Sequence, residues 1–207
     1  IGPRLGEIST SGYTLIDIPV PKQPLVHVHP GPEELGRVYR PEMAINAGMQ
    51  AFAEAAAAME PVGGDWRDWT QSAREDYLAW NEPAPIPGDL QLGEVVKWLR
   101  ENLPADSIVC NGAGNYSTWV HRFFRYRGFR TQLGPTSGSM GYGVPAAISA
   151  KHFYPDRTVV AFAGDGCFLM TGQELATAIQ YNINIVIIIV NNAMYGTIRM
   201  HQERHYP

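Results

Sequence analysis

From residue 90 onward, the apolar positions follow two alternating patterns, one typical of strands and one typical of helices. Short apolar runs predict three strands, at residues 107–110, 158–163 and 185–190. Stretches with helical spacing precede or separate them, at residues 92–102, 115–124, 140–152 and 171–181. The third strand is almost entirely β-branched and is expected to be buried on both faces. This alternation predicts a parallel sheet covered by helices, that is, a doubly wound α/β fold.

The start of the chain has a smaller set of the same elements. Two β-type runs, at residues 25–29 and 43–46, precede an alanine-rich helix predicted at residues 49–59. We interpret residues 1–60 as part of a separate α/β domain. Because the chain opens without a methionine and stops without a terminating element, we expect it to belong to a longer protein.

Between these two regions the periodic pattern is lost. Residues 61–89 are rich in Trp, Asp, Glu and Pro, and prolines recur through residues 83–87. Segments with such spaced prolines are typical of stiff connectors. We therefore predict a linker at residues 61–89 and a second domain at residues 90–207. We expect the linker to pack against a surface through Trp66, Trp69, Tyr77 and Trp80.

Composition and charge narrow the classes of function. The net charge of −4 and the lack of a basic run argue against a nucleic-acid partner. The longest apolar stretch, residues 183–190, is too short to span a bilayer, so no membrane partner is expected. Two isolated cysteines, Cys110 and Cys167, favour a reducing compartment, and we expect a cytoplasmic location.

Polar side chains follow the ends of two predicted strands. Gly164-Asp165-Gly166 comes directly after one strand, and after a further 24 residues Asn191-Asn192 follows the next. Crossovers between parallel strands return the chain to the same edge of the sheet. If the two strands are neighbours, about 4.8 Å apart, Asp165 and Asn192 face each other in the crevice where open α/β sheets bind ligands.

The chemistry of these residues favours a divalent cation that is shared with a phosphate. Carboxylate and amide oxygens are hard ligands, but two of them do not satisfy magnesium, which takes about six oxygens and often shares phosphate oxygens. The N–H groups of Gly166 and Cys167 are candidates for a small anion-binding nest. As alternatives, Asp165 is a turn residue, and Asn191 and Asn192 cap the end of a strand.

The motif resembles that of thiamine-diphosphate-dependent enzymes of the acetolactate synthase and pyruvate decarboxylase superfamily. Residues 138–147, G-S-M-G-Y-G-V-P-A-A, resemble a segment of acetolactate synthases, and residues 172–178 resemble the helix after their motif. The resemblance implies that residues 90–207 are the domain that binds the diphosphate and Mg²⁺. It also implies that residues 1–60 are the C-terminal part of the family's central domain.

The resemblance also implies roles for individual residues. The side chains of Asp165 and Asn192 and the backbone carbonyl of Met194 would be magnesium ligands, and Met140 would be the wedge that bends the cofactor. The implied cofactor-binding set is Asn115, Tyr116, Gly138, Met140, Gly164, Asp165, Gly166, Cys167, Asn192, Met194, Tyr195 and Gly196. No residue of this chain is assigned as a catalytic acid or base, because the cofactor carries the chemistry.

The implied function is decarboxylation of a 2-oxo acid, dependent on thiamine diphosphate and Mg²⁺, with carboligation as in acetolactate synthase. A homodimer or homotetramer is implied, because the pyrimidine domain of another subunit supplies a glutamate; this chain alone is expected to be inactive. His201 stands where acetolactate synthases carry a Trp, and Thr197 replaces a bulkier residue. Alternatives are another decarboxylase, a glyoxylate carboligase, a hydroxyacyl lyase or a non-catalytic cofactor-binding module.

Several residues have two interpretations. Met140 is a cofactor wedge or a filler of the core, and Cys167 is a reactive thiol or a small residue that fits beside a phosphate. His27 and His29 are a metal pair or structural histidines, with the structural interpretation favoured. Glu174 is interpreted as half of a capping box with Thr171 rather than as a catalytic acid.

Overall fold

The structure is a computed structural model that describes residues 1–61 and 63–206. Val62, in the predicted linker, and Pro207, at the end of the predicted second domain, lie outside the described residues. The chain divides into two compact units, of which the first is Ile1–Asp65 and the second begins at Trp66. This division falls inside the predicted linker, residues 61–89.

The first unit contains a two-stranded parallel sheet and one helix. Its elements are β1 (Val26–His29), a short 3-10 turn (Pro32–Glu34), β2 (Met43–Asn46) and α1 (Met49–Ala57). β1 and β2 pair in parallel from Val26 opposite Met43 to His29 opposite Asn46. The two predicted strands and the predicted helix are therefore confirmed, with the helix ending two residues early.

The imidazole rings of His27 and His29 form hydrogen bonds with backbone groups of the first unit. The Nε2 atom of His27, which is buried, lies 3.3 Å from the carbonyl oxygen of Pro3. The Nδ1 atom of His29 accepts the N–H of Gly31 at 3.0 Å. In residues 1–61 and 63–206, no group of three or more His, Cys, Asp or Glu side chains is arranged to hold a metal ion. These contacts support the structural interpretation of both histidines.

The second unit alternates helices and strands around a four-stranded sheet. Its elements are α2 (Arg67–Trp80), α3 (Leu92–Asn102), β3 (Ile108–Asn111), α4 (Asn115–Phe123), β4 (Gln132–Leu133), α5 (Gly143–Phe153), β5 (Val159–Gly164), α6 (Asp165–Thr171), a 3-10 turn (Gly172–Glu174), α7 (Leu175–Gln180), β6 (Val186–Val190) and α8 (Gly196–His205). The strand order is β4-β3-β5-β6, and every pair is parallel. Within the part of the chain that the structure describes, no helix is long and apolar enough to cross a membrane.

Alternate residues of the central strands face opposite layers of helices. Val109, Val160 and Phe162 pack with apolar residues of α3 and α4. The residues between them, such as Cys110 and Ala161, pack with α5 on the other face. All six residues of β5 are buried as a result. The predicted doubly wound α/β fold is confirmed.

The prediction that the strand at residues 185–190 is buried on both faces is wrong. Within the described sheet, β6 lies at the edge and pairs only with β5. Val186 is 52% exposed and Ile189 is 46% exposed. Its β-branched composition predicts a strand correctly, but exposure depends on the position of that strand in the sheet, which this composition does not give.

The helix predicted at residues 171–181 starts earlier and is interrupted. α6 begins at Asp165, with no loop after β5, and a 3-10 turn separates α6 from α7. The capping box is absent because both side chains are engaged elsewhere. The Thr171 hydroxyl donates to the carbonyl of Gly141 at 2.8 Å, and Glu174 accepts the hydroxyl of Thr177 at 3.0 Å.

Most of the predicted linker belongs to the second unit and contains α2. Glu82, which follows this helix, forms ion pairs with other residues of the unit. Glu82 lies 2.8 Å from Lys97, 3.1 Å from Arg100 and 3.2 Å from Arg125. The guanidinium of Arg122 lies over the ring of Trp80, 3.5 Å from its centre. All three tryptophans are nevertheless largely exposed, at 62% for Trp66 and Trp80 and 76% for Trp69. The predicted packing against a surface is therefore wrong for Trp66 and Trp69, and at Trp80 it is limited to this contact with Arg122.

Candidate functional site

The carboxyl ends of β5 and β6 meet at one edge of the sheet. Gly164 is the register partner of Val190, so Asp165 and Asn192 follow the tips of neighbouring strands. Both residues line a single cavity of about 220 Å³. The structure therefore brings together the two side chains that the sequence places at strand ends.

Most of the predicted cofactor-binding residues line this same cavity. They are Asn115, Tyr116, Met140, Gly164, Asp165, Gly166, Cys167, Asn192, Met194, Tyr195 and Gly196. The remaining one, Gly138, is not part of the lining. It has a φ of +68°, which favours glycine, and lies two residues before Met140.

Sequence reasoning missed six lining residues, namely Ala113, Gly114, Trp119, Val190, Thr197 and Ile198. Trp119 was recognisable in principle, since it lies four residues after Asn115 and shares its face of α4. In the sequence, Thr197 stands out only because it replaces a bulkier residue of acetolactate synthases. In the structure it lies in the first turn of α8 and contacts the side chain of Asn115.

A side chain at either glycine of the Gly164-Asp165-Gly166 motif would crowd an aromatic ring. A Cβ atom at Gly166 would lie 2.7 Å from a ring carbon of Tyr195 and 3.5 Å from the methyl carbon of Met140. A Cβ atom at Gly164 would lie 3.0 Å from the ring of Tyr116. The bare backbone between Gly164 and Gly166 therefore forms part of the cavity wall, with Tyr195 and Met140 beside it.

Helix α6 begins at this bare backbone. Gly164 is the N-cap residue and has an extended conformation (φ −71°, ψ 163°), so no side chain caps the start of the helix. The N–H groups of the first turn have no partner within a helix, and the helix dipole adds to their attraction for an anion. The helix predicted to start at residue 171 therefore has its first turn at the site itself, where Asp165, Gly166 and Cys167 form it.

The loop after β6 contains two consecutive turns closed by asparagine side chains. The Oδ1 atom of Asn191 accepts the N–H of Ala193 at 2.8 Å, and the Oδ1 atom of Asn192 accepts the N–H of Met194 at 3.2 Å. Ala193 has a φ of +53°. Both asparagines thus act as turn residues, while a carbonyl oxygen such as that of Asn192 retains a second lone pair for a cation.

Asn115 and Tyr116, at the start of α4, take different positions. The side-chain oxygen of Asn115, which is exposed, accepts the hydroxyl of Thr197 at 2.9 Å. Tyr116 is only 7% exposed and belongs to the apolar core beneath the cavity. Burial, aided by a hydrogen bond with Cys167, raises the pKa of Tyr116 far above its usual value. Tyr116 is therefore a neutral phenol in the cavity floor.

Cys167 is buried, and its sulfur has two polar contacts. It accepts the N–H of Gly141 at 3.1 Å and lies 3.4 Å from the hydroxyl oxygen of Tyr116. The residue is 3% exposed. The other cysteine, Cys110, is fully buried, and burial raises its pKa to about 12. The burial of Cys167 and the engagement of its sulfur argue against the interpretation as a reactive thiol, while its fit beside a phosphate stays a prediction.

Of the remaining candidate residues, Met140 lines the cavity and His201 does not. Met140 is 37% exposed in the cavity wall, which argues against the alternative of a core filler. His201 is exposed on α8, where its ring stacks on that of His205 with centres 6.3 Å apart. Because the lining of α8 ends at Ile198, His201 does not contribute to the cavity.

Comparison with known proteins identifies the family that this chain resembles. The family model "Thiamine pyrophosphate enzyme, C-terminal TPP binding domain" matches residues 112–207. The acetolactate synthase large subunit of Lactococcus lactis is 31% identical over 190 residues, which cover 88% of this chain and 32% of that protein. The corresponding subunit of Corynebacterium glutamicum is 32% identical over 215 residues, which cover 100% of this chain and 34% of that protein.

A solved structure is also similar. It is the thiamine diphosphate-dependent 4-hydroxybenzoylformate decarboxylase of Rhodococcus jostii RHA1, with a TM-score of 0.62 and 26% identity. The match covers 87% of this chain and 33% of that one. The chain thus spans about a third of the length of the relatives it matches. It belongs to the superfamily of thiamine-diphosphate-dependent enzymes, and residues 112–207 carry the match to the cofactor-binding domain of that superfamily.

Proposed function

We propose that the cavity at the ends of β5 and β6 holds the diphosphate of thiamine diphosphate through a magnesium ion. The full protein would decarboxylate a 2-oxo acid and join the remaining fragment to an acceptor, as an acetolactate synthase does. The observation that carries this proposal is that Asp165, Asn192 and Met140 line one cavity. Asp165 and Asn192 follow the ends of β5 and β6, and Met140 is the residue predicted to bend the cofactor.

The charge of the cavity lining supports the presence of a cation. Among the described residues, the lining contains the carboxylate of Asp165 but no Lys, Arg or His. A diphosphate is anionic, so a carboxylate beside it is repulsive unless a cation lies between them. Backbone N–H groups of α6 favour the anion but do not neutralise its charge. A divalent ion shared by Asp165 and the diphosphate resolves this conflict.

The donor atoms at the site fit magnesium. Asp165 offers carboxylate oxygens, and Asn192 offers an amide oxygen with a free lone pair. The backbone carbonyl of Met194, in the same cavity lining, would be the third protein ligand. Magnesium takes oxygen ligands and usually completes its shell with phosphate oxygens and water. The sulfur of Cys167, a softer donor, accepts the N–H of Gly141 instead.

When bound, thiamine diphosphate supplies the electron sink that decarboxylation of a 2-oxo acid requires. This chain would bind the diphosphate end, and the side chain of Met140 would support the ring end. Apolar lining residues, including Trp119, Tyr195 and Ile198, would limit access of water to the reacting centre. In this proposal the protein contributes position and environment rather than an acid or base of its own.

A plain decarboxylase is the second candidate. The similarity to a 4-hydroxybenzoylformate decarboxylase favours it, as does the position of His201 outside the cavity lining. Profiling of products from a panel of 2-oxo acids, with and without an acceptor, separates the two reactions.

We also propose that the full protein is a cytoplasmic homodimer or homotetramer in which another subunit completes the site with its pyrimidine domain.

Calorimetric titration of the full-length protein with thiamine diphosphate and Mg²⁺ tests the proposal. We expect binding that is lost in Asp165→Ala and on chelation of the metal with EDTA. Asp156→Ala is the matched control, because Asp156 lies just before the amino end of β5, at the end of the strands that is opposite to the cavity. A wild-type protein that does not bind the cofactor would contradict the proposal. Binding without release of carbon dioxide from any 2-oxo acid would favour a non-catalytic module.

A further inference from the structure

Two side chains of α6 hold both polar backbone groups of Gly141, the residue directly after Met140. The N–H of Gly141 donates to the sulfur of Cys167 at 3.1 Å. The hydroxyl of Thr171 donates to the carbonyl oxygen of Gly141 at 2.8 Å. Cys167 and Thr171 are four residues apart and therefore lie on the same face of the helix. We refer to these two hydrogen bonds as the Gly141 clamp.

The loop that carries Met140 is also in close steric contact with α6. Gly141 is buried and has a φ of +80°. A Cβ atom at this position would lie 3.1 Å from the Cγ2 atom of Thr171 and 3.2 Å from the Cβ atom of Met170. The backbone of Gly141 therefore rests directly on the helix, and a side chain there would force the loop and α6 apart.

The sulfur of Cys167 has little freedom to turn away from the clamp. The hydroxyl oxygen of Tyr116 lies 3.4 Å from it. On another side it faces Gly112, where an added Cβ atom would collide with it. Close packing of this kind restricts a side chain to one rotamer. The acceptor for the Gly141 N–H is thus held in place by Gly112, by Tyr116 of α4 and by the loop itself.

We propose that Cys167 and Thr171 are positioning residues that fix Met140 relative to Asp165; this inference rests on the proposed function. Asp165 begins the same short helix that carries both clamp residues. One rigid element therefore bears the predicted metal ligand, the first-turn N–H groups and the attachment point of the Met140 loop. The distance between the diphosphate end and the ring end of the cofactor site is set by α6. A misplacement of about 1 Å at a reacting centre lowers rates by up to about a hundredfold.

Matched variants of the full-length protein separate the clamp from general packing. Cys167→Ala and Cys167→Ser both remove the sulfur, but only the serine keeps an acceptor. Thr171→Val removes the hydroxyl, and Thr171→Ser keeps it. Thr177→Val is the control, because Thr177 is also a half-buried helical threonine, and its hydroxyl donates to the Glu174 carboxylate instead of to the loop.

The first measurement is hydrogen exchange of the apoprotein, read by mass spectrometry on a peptide that contains the Gly141 amide. Loss of one hydrogen bond corresponds to roughly a tenfold change in an opening equilibrium. We expect exchange about tenfold faster than wild type in Cys167→Ala and Thr171→Val. The serine variants and Thr177→Val should stay within about threefold of wild type.

The second measurement is steady-state kinetics with saturating thiamine diphosphate and Mg²⁺. We expect kcat about tenfold lower in Cys167→Ala and Thr171→Val, with the KM for the 2-oxo acid and the cofactor affinity nearly unchanged. Loss of structure alone would lower the melting temperature and affect Thr177→Val equally. If Thr171→Val does not fold, the alanine and serine pair at Cys167 decides the result.

Wild-type exchange in both clamp variants would overturn the inference, as would unchanged kcat or an equal loss of kcat in Thr177→Val. Failure of the proposed function gives a different result. In that case the wild-type protein does not bind thiamine diphosphate, while exchange of the apoprotein still reports on the clamp.

Discussion

The hydroxyl of Thr197 donates a hydrogen bond to the side-chain oxygen of Asn115, 2.9 Å away, and so joins the first turns of α8 and α4. Both residues line the cavity. They are 82 positions apart in sequence, and the contact connects the element that follows β6 to the element that follows β3. This pair holds the start of α8, with its neighbours Tyr195 and Gly196, against the rest of the cavity wall.

Removal of this contact should loosen α8 without unfolding the domain. We expect Thr197→Val to increase hydrogen exchange in the first turn of α8 and to weaken cofactor binding by about three- to tenfold, since an exposed hydrogen bond contributes roughly 0.5–1.5 kcal/mol. Calorimetry of the full-length protein measures the affinity. Thr197→Ser keeps the hydroxyl and should bind as the wild type does, so equal weakening in both variants would refute the role of the hydrogen bond.

Met140 should affect turnover more than cofactor affinity. Under the proposed function, Met140→Ala removes the support of the ring end and leaves the diphosphate end intact. We expect kcat to fall by at least about tenfold, with the dissociation constant for thiamine diphosphate changed by less than about threefold. Met200→Ala is the control, because Met200 has nearly the same exposure (39%) on α8 but does not line the cavity. A parallel loss of affinity and kcat would contradict the assigned role.

Gly143→Ala should destabilise the domain strongly. A Cβ atom at this position would lie 2.8 Å from the backbone nitrogen of Gly112 and 2.9 Å from the carbonyl carbon of Asn111. Both contacts are with the backbone, which moves less readily than a side chain, so we expect a loss of about 1–3 kcal/mol or more. Denaturant unfolding gives the value. Gly63→Ala, where no atom lies within 4 Å of the added carbon and no helix or strand is involved, should have little effect.

The contribution of Glu82 to stability should depend on pH. A hydrogen bond from Lys97, followed by one from Arg100, lowers the pKa of the Glu82 carboxyl below its usual value despite some opposing burial. Because the folded pKa is lowered, its stabilisation is fully present above the unfolded pKa of about 4.3. It is lost as the pH falls through the lowered folded pKa. Glu82 is 46% exposed, so solvent screening keeps the contribution at or below about 1 kcal/mol.

Unfolding of Glu82→Gln across a pH series measures this effect. The variant should be less stable than the wild type at neutral pH, and the difference should shrink below about pH 4. A difference that stays constant to low pH would show that packing, rather than the ion pairs with Lys97, Arg100 and Arg125, accounts for the loss.

The sheet was predictable from sequence where the strands are short, apolar and continuous. β3 and β5 differ from the predicted runs by one residue at each end. The sequence left the pairing of β5 with β6 as a condition for the site, and the structure meets this condition. The exposure of β6 was not predictable, since the sequence pattern does not say which strand lies at the edge of the sheet.

Local signals were misleading where side chains have distant partners. Thr171 and Glu174 have the spacing of a capping box, but Thr171 bonds Gly141, 30 residues away in sequence. The Gly-Asp-Gly sequence resembles a turn, yet α6 starts directly at its aspartate. The contact between Cys167 and Gly141 joins a side chain to a backbone group 26 residues away, and no periodic pattern encodes it.

The most direct test of the central claim is a crystal structure of the full-length protein with thiamine diphosphate, in which Mn²⁺ replaces Mg²⁺ and its anomalous signal locates the ion. The account predicts one strong peak, coordinated by the side-chain oxygens of both Asp165 and Asn192 and by the diphosphate. A fully bound cofactor whose diphosphate shares no ion with these two residues would contradict it.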